Sequence, residues 1–141
     1  KDTGINVRAT GDFVVNLVTE ELAQAMNVTA AEFRPEVDEF AEAGLTPVPS
    51  LRVRAPRIGE SPVSFECRLM QTVELGPHRS LVLGEILVMH IADARIRDAA
   101  RFHVDTAGLH MLGRMQGNSY ARTGDAFELL RVLPAPEKLA R

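Results

Sequence analysis

The sequence is short of the residues from which several kinds of function are built. A single cysteine, Cys67, in 141 residues leaves no internal disulfide and no multi-cysteine metal site. Its place in an alternating apolar run reads as a buried, inert thiol. Positive charge is sparse: 16 Lys and Arg against 19 Asp and Glu give a net charge of -3, and the arginines are scattered singly along the chain. No basic field is available for a polyphosphate backbone, so no nucleic-acid partner is expected. Long apolar runs are missing too. The longest, 81–91, is interrupted by Glu85 and His90 and falls well short of the roughly 20 apolar residues that span a bilayer. With no signal-peptide pattern at the start, the chain reads as cytoplasmic, with no membrane partner.

Motifs are absent as well. Ser61, Ser64, Ser80 and Ser119 have no nucleophile-elbow context, and neither a phosphate loop nor a dinucleotide fingerprint occurs. Hydrolase and Rossmann readings both fail. His103 and His110 have no partners at metal-ligand spacing, so no metal is expected.

What is present describes one globular domain over 1–141, with 45% hydrophobic and 25% charged residues. Asp2 and Thr3 can cap a helix over 3–10 that ends at Gly11. The β-branched and aromatic run 13–18 predicts a buried, central strand. Thr19 is suited to cap a helix over 20–26, and Pro35 and Gly44 bracket a second over 36–43. The proline-rich stretch 46–62 predicts extended surface chain with a short edge strand at 51–53. Val63, Phe65, Cys67 and Leu69 alternate with Ser64, Glu66 and Arg68 in a half-buried strand. After the Gly76-Pro77 turn, 81–91 is apolar on both parities and predicts a strand covered on both faces. Asp105 or Thr106 caps a segment that turns Leu109 and Leu112 inward, and 126–130 predicts a last strand.

These elements predict a mainly β chain, a small antiparallel barrel with peripheral helices. Only about three long strands are visible, whereas a closed barrel usually needs about five or more. The chain opens on Lys1 rather than Met and enters a cap-like sequence at once, which predicts further residues upstream.

Two readings of Lys1-Asp2-Thr3 stay open. In one it is an ordinary helix cap. In the other, a cation, a hydroxyl and free backbone N–H groups at a helix mouth hold a phosphate, with Asp2 turned to the backbone. His78, beside Gly-Pro, is either a solvated turn residue or a proton donor at a barrel rim. His90 shares strand parity with Val82 and Val88 and reads as a hydrogen-bonded core histidine. Tyr120, the only tyrosine, ends a glycine-flanked segment and could cover a planar ligand.

Seven segments in order resemble one family: K-D-T at 1–3, G-D-F-V-V-N-L-V at 11–18, A-M-N-V-T-A-A-E-F at 25–33, V-D-E-F-A-E-A-G-L-T at 37–46, E-S-P-V-S-F-E-C-R-L at 60–69, L-V-L-G-E-I-L-V-M-H at 81–90 and G-R-M-Q-G-N-S-Y-A-R-T at 113–123. Together they resemble the flavin-reductase-like family of FMN-binding split barrels. The resemblance implies an antiparallel Greek-key split barrel, here without its N-terminal strands, that forms a homodimer and binds FMN at the subunit interface. It implies hydride transfer to the flavin from NADH or NADPH, a cofactor-centred chemistry, with an oxygenase as a possible partner. Lys1, Asp2 and Thr3 match the phosphate-side motif, and Asn27 and Thr29 lie in a loop that approaches the flavin. His78 resembles a histidine near the ring and is the catalytic candidate, while Tyr120 and Arg122 fall in a segment close to the cofactor. The alternative is a non-catalytic flavin-binding or interaction module.

Overall fold

The computed structural model describes residues 2–77 and 79–130. Helix α1 spans Asp2–Thr10 and stops at Gly11, whose φ of 73° lies in the left-handed region that glycine enters without strain. The Gly11 N–H donates to the Val7 carbonyl at 2.9 Å, closing the last turn. Val7 is the one buried residue of this helix. The chain then reverses into β1, Asp12–Asn16.

Strand β1 pairs antiparallel with β4, Val63–Gly76, which pairs antiparallel with β5, Arg79–Ile91, in the order β1-β4-β5. Among the described residues β4 is therefore the central strand and β1 lies at an edge, contrary to the expectation for 13–18. The reason is visible in β4 itself: Val63 and Cys67 are buried on one side, Ser64 and Glu66 on the other. Ser64 and Glu66 were expected to face solvent. Strand β5, expected to be covered on both faces, is the other edge, and Leu81, Leu83, Ile86 and Met89 are each 42–55% exposed. Phe13 crosses toward β5 at Gly84, where a Cβ would stand 2.5 Å from the Phe13 Cζ atom.

Helix α2 spans Ala23–Thr29 rather than 20–26. Thr19 is drawn into a bridge with Met111, and the Glu20 N–H donates to the His110 carbonyl, so 19–22 forms a turn instead of a cap. Helix α3 spans Glu39–Ala43, starting later than expected because the Asp38 side chain caps it, accepting from the Phe40 N–H at 3.0 Å. Gly44, at φ 65°, ends it as expected.

No strand forms at 51–53. Two short strands, β2 at Pro47–Val48 and β3 at Arg57–Ile58, pair antiparallel around that stretch. Leu51 and Arg52 instead donate their N–H groups to the Glu66 carboxylate. The covering segment is thus tied to β4, which is why Glu66 is buried.

The remaining strands form two hairpins: β6, Ile96–Asp98, with β7, His103–Val104, and β8, Leu112–Arg114, with β9, Tyr120–Arg122. The Leu112 N–H donates to the Val18 carbonyl at 2.9 Å and fixes the second hairpin to the end of β1. Asp105 caps a turn by accepting from Gly108, and Leu109 is buried as expected. Residues 124–130 carry no strand, so the expected last strand is not formed. The described chain is mainly β, wholly antiparallel in its strand pairs, with three peripheral α-helices. Among the described residues no helix is long and apolar enough to cross a membrane.

Candidate functional site

The mouth of α1 borders two cavities of opposite electrical character, and Thr3 lines both. The smaller, about 280 Å³, is walled by Asp2, Thr29, Glu32 and Glu39, three carboxylates with no cation among the described lining residues. The larger, about 880 Å³, lies between α1 and the turn end of the β4–β5 hairpin. Ile5, Phe13, Val14 and Val82 give it an apolar wall, and Arg8, Arg79 and Ser80 give it a polar one. Arg8 spans the gap, donating to Glu74 at 2.9 Å and to the Ser80 hydroxyl at 3.3 Å. With Arg8 and Arg79 set against Glu74, the formal lining charge is +1, against -3 for the smaller cavity.

A third cavity, about 680 Å³, opens between α2 and the β8–β9 hairpin. Helical spacing explains its helix side: Ala23, Met26 and Asn27, at i, i+3 and i+4, share one face of α2. Leu22, Ala25 and Thr29 share a neighbouring face toward β1 and β3. On the hairpin side stand Arg114, Tyr120 and Arg122. The Arg114 guanidinium lies 4.8 Å from the Tyr120 ring centroid and donates to the Tyr120 hydroxyl. Arg122 donates through Nε to Glu20 at 2.8 Å.

The residues singled out from sequence therefore divide. Asp2, Thr3 and Thr29 meet at the small acidic cavity, and Thr3 also reaches the larger one. Asn27, Tyr120 and Arg122 meet at the third. The Thr29 hydroxyl donates to the Met26 carbonyl at 2.9 Å, an internal helix bond. Lys1 and His78 lie outside the described residues. Arg8, Arg79 and Ser80 were missed by sequence reading, although an arginine beside a Gly-Pro turn was a usable signal.

Also missed was Glu66. Its carboxylate is fully buried and accepts from Leu51 N–H at 2.8 Å, Arg52 N–H at 2.7 Å and His90 Nε2 at 2.6 Å. Burial raises its pKa, but the hydrogen bonds from Leu51, His90 and Arg52 outweigh that and hold the group below the ordinary carboxylate value. His90 is thus hydrogen-bonded as expected, but its side chain is 20% exposed rather than in the core, and the register shift at Glu66–Cys67 interrupts the strand parity on which it was placed. Burial pushes the Cys67 thiol up, in keeping with an inert cysteine. Among the described residues no group of His, Cys, Asp and Glu could hold a metal ion.

Comparison with known proteins agrees with this architecture. A 2-nitrobenzoate 2-nitroreductase of Pseudomonas fluorescens is 31% identical, with a TM-score of 0.85 over 96% of this chain and 68% of that one. Component B of nitrilotriacetate monooxygenase from Bacillus cereus is 31% identical, with a TM-score of 0.82 over 92% of this chain and 65% of that one. The fold they share with this chain is the split barrel. An uncharacterized protein of Deinococcus radiodurans is 40% identical over 133 residues, 94% of this chain and 58% of its own length. The chain spans about three fifths of the length of such curated relatives. Residues 1–110 match the flavin reductase like domain, and the chain belongs to that family.

Proposed function

We propose that this chain is the FMN-binding part of an NAD(P)H-dependent flavin reductase, a single domain working in the cytoplasm as a homodimer. The observation that carries the reading is the larger cavity at the mouth of α1. Its apolar wall of Ile5, Phe13, Val14 and Val82 suits a flavin ring system, and its net positive lining suits a phosphate. The Thr3 hydroxyl and the first N–H groups of α1 are donors for that phosphate, and Arg79 adds charge. The acidic cavity on the other side of Thr3 repels the same group, so these residues fit the cofactor on one side only.

Bound FMN supplies the hydride-accepting chemistry. The chain's own residues bind and orient: Thr3 and Arg79 hold the anionic end, while Phe13, backed by Gly84, fills the apolar wall. Such a role needs stacking and position more than a side-chain acid or base. Dimer formation is supported by the β5 edge with its exposed Leu81, Leu83, Ile86 and Met89. A partner oxygenase is suggested by the likeness to a monooxygenase component.

The test compares FMN with riboflavin. Thr3→Ala and Arg79→Gln each remove a contact that only FMN can use, and weaken FMN by about tenfold while leaving riboflavin within about twofold. Equal losses for both ligands overturn the phosphate placement. Turnover is read separately, as NADH or NADPH oxidation with free flavin present. FMN binding without turnover favours a non-catalytic carrier.

A further inference from the structure

Arg8 is part of the wall of the larger cavity and is already bound to an anion of the chain's own. Its Nη2 lies 2.9 Å from Glu74 Oε1 and 3.3 Å from the Ser80 hydroxyl, and its Nη1 donates to the Gly4 carbonyl at 3.1 Å. The strand register explains the two acceptors on the hairpin. Glu74 and Ser80 are directly opposed across β4 and β5, and opposed residues turn their side chains to one face of a sheet. Val82, two residues beyond Ser80, stands on that same face and belongs to the apolar wall. On the helix side, Gly4 lets the guanidinium lie against the first turn of α1, for a Cβ there would stand 3.4 Å from Nη1. Arg8 therefore reaches the turn whose free N–H groups attract an anion, while its own charge is matched by Glu74.

We propose that Glu74 is a built-in competitor for the ligand's phosphate: it holds Arg8, and the phosphate must displace it to gain the guanidinium. This rests on the phosphate placement given above and adds to it a residue that sets selectivity. Glu74 acts through Arg8 and is a positioning residue. The two side chains are 47% and 63% exposed, so their pairing is weak and easily exchanged. A phosphate monoester carries about -1.5 to -2 charges near neutral pH and three acceptor oxygens, and a guanidinium meets such a group in two-pronged fashion. It outbids a single carboxylate for Arg8. A ligand with no charge has nothing to exchange and leaves the pair closed, and one anchored by a carboxylate only replaces like with like. Glu74 thus lowers affinity in general and makes a phosphate dianion the class of anion admitted at this end of the cavity.

Glu74→Gln keeps the shape of the side chain and removes its charge. FMN affinity of the full chain, read by flavin fluorescence at low ionic strength, should rise by about two- to fivefold, the worth of an exposed ion pair, while riboflavin affinity stays unchanged. The gain should fade at roughly 1 M salt, where charges are screened within about 3 Å. Arg8→Gln supplies the coupling. It should cost more FMN affinity in the Glu74→Gln background than in the wild type, because only there is the guanidinium free of its competitor. Unchanged thermal midpoints check that the variants fold. FMN bound no more tightly by Glu74→Gln, riboflavin tightened alongside FMN, a gain indifferent to salt, or an Arg8→Gln cost identical in the two backgrounds overturns the competition and leaves the flavin site standing. A wild-type chain that binds FMN no better than riboflavin strikes the phosphate placement itself, and this inference with it.

Discussion

Replacing Glu66 tests the central tie of the fold. Its carboxylate accepts three hydrogen bonds from a position with no solvent exposure, two from the 51–52 backbone and one from His90. Glu66→Ala strands all three donors. Each unsatisfied buried donor costs about 1–3 kcal/mol. The 51–52 segment can recover part of this by moving to water, so the net loss expected is about 3–5 kcal/mol. Glu66→Gln keeps the shape and one acceptor oxygen but turns an NH₂ group toward a donor, for a loss of about 1–3 kcal/mol. Urea unfolding monitored by circular dichroism measures both as midpoint shifts at constant slope. The pH dependence supplies a second check. Because the folded Glu66 pKa is depressed, its stabilisation is fully present above the unfolded carboxylate value and is lost as pH falls through the folded one. The gap between wild type and Glu66→Gln should therefore shrink in acid. A gap that stays flat from neutral to strongly acidic pH, or an alanine variant no worse than the glutamine one, refutes the account.

Gly84→Ala places a methyl group 2.5 Å from Phe13 Cζ and should cost about 1–3 kcal/mol in thermal unfolding. Adding Phe13→Leu should recover part of that loss, and a purely additive double variant would show that the ring is not what the methyl meets. Cys67, buried and with its thiol pKa raised, should react with a thiol reagent only as fast as the protein opens. Rapid labelling of the native chain at neutral pH would contradict its placement on the buried face of β4.

Strand β4 was legible because a period of two survives over a long run, β5 because a continuous apolar run follows a Gly-Pro turn, and α1 because Asp2, Thr3 and Gly11 are local signals. The start of α2 was not, since Thr19 is diverted by Met111, a residue far along the chain. Glu66 was hidden for a related reason. Alternation put it on the polar face, and the segment that covers that face is rich in proline and has no periodicity to announce it. For the site, sequence picked out Thr3, Asn27, Tyr120 and Arg122, but spacing along the chain carries no information on which of them share a cavity. Ser80 was passed over because its partner, Arg8, lies on a helix far back in the sequence, and Arg79 because spacing along the chain does not show that the two arginines line one cavity.

The contrast across Thr3 has a consequence for the direction of any phosphate-bearing guest. Asp2, Glu32 and Glu39 form a fence of negative potential on one flank of the helix mouth, and Arg79 a lure on the other. Under the proposed phosphate placement, an anion held by the first N–H groups of α1 would be directed toward the β4–β5 turn, with the rest of the molecule along the apolar wall that includes Phe13. The fence sets polarity rather than affinity. Salt, which screens charges over about 8–10 Å at physiological strength, should blur this sense of direction before it loosens the grip of the N–H groups.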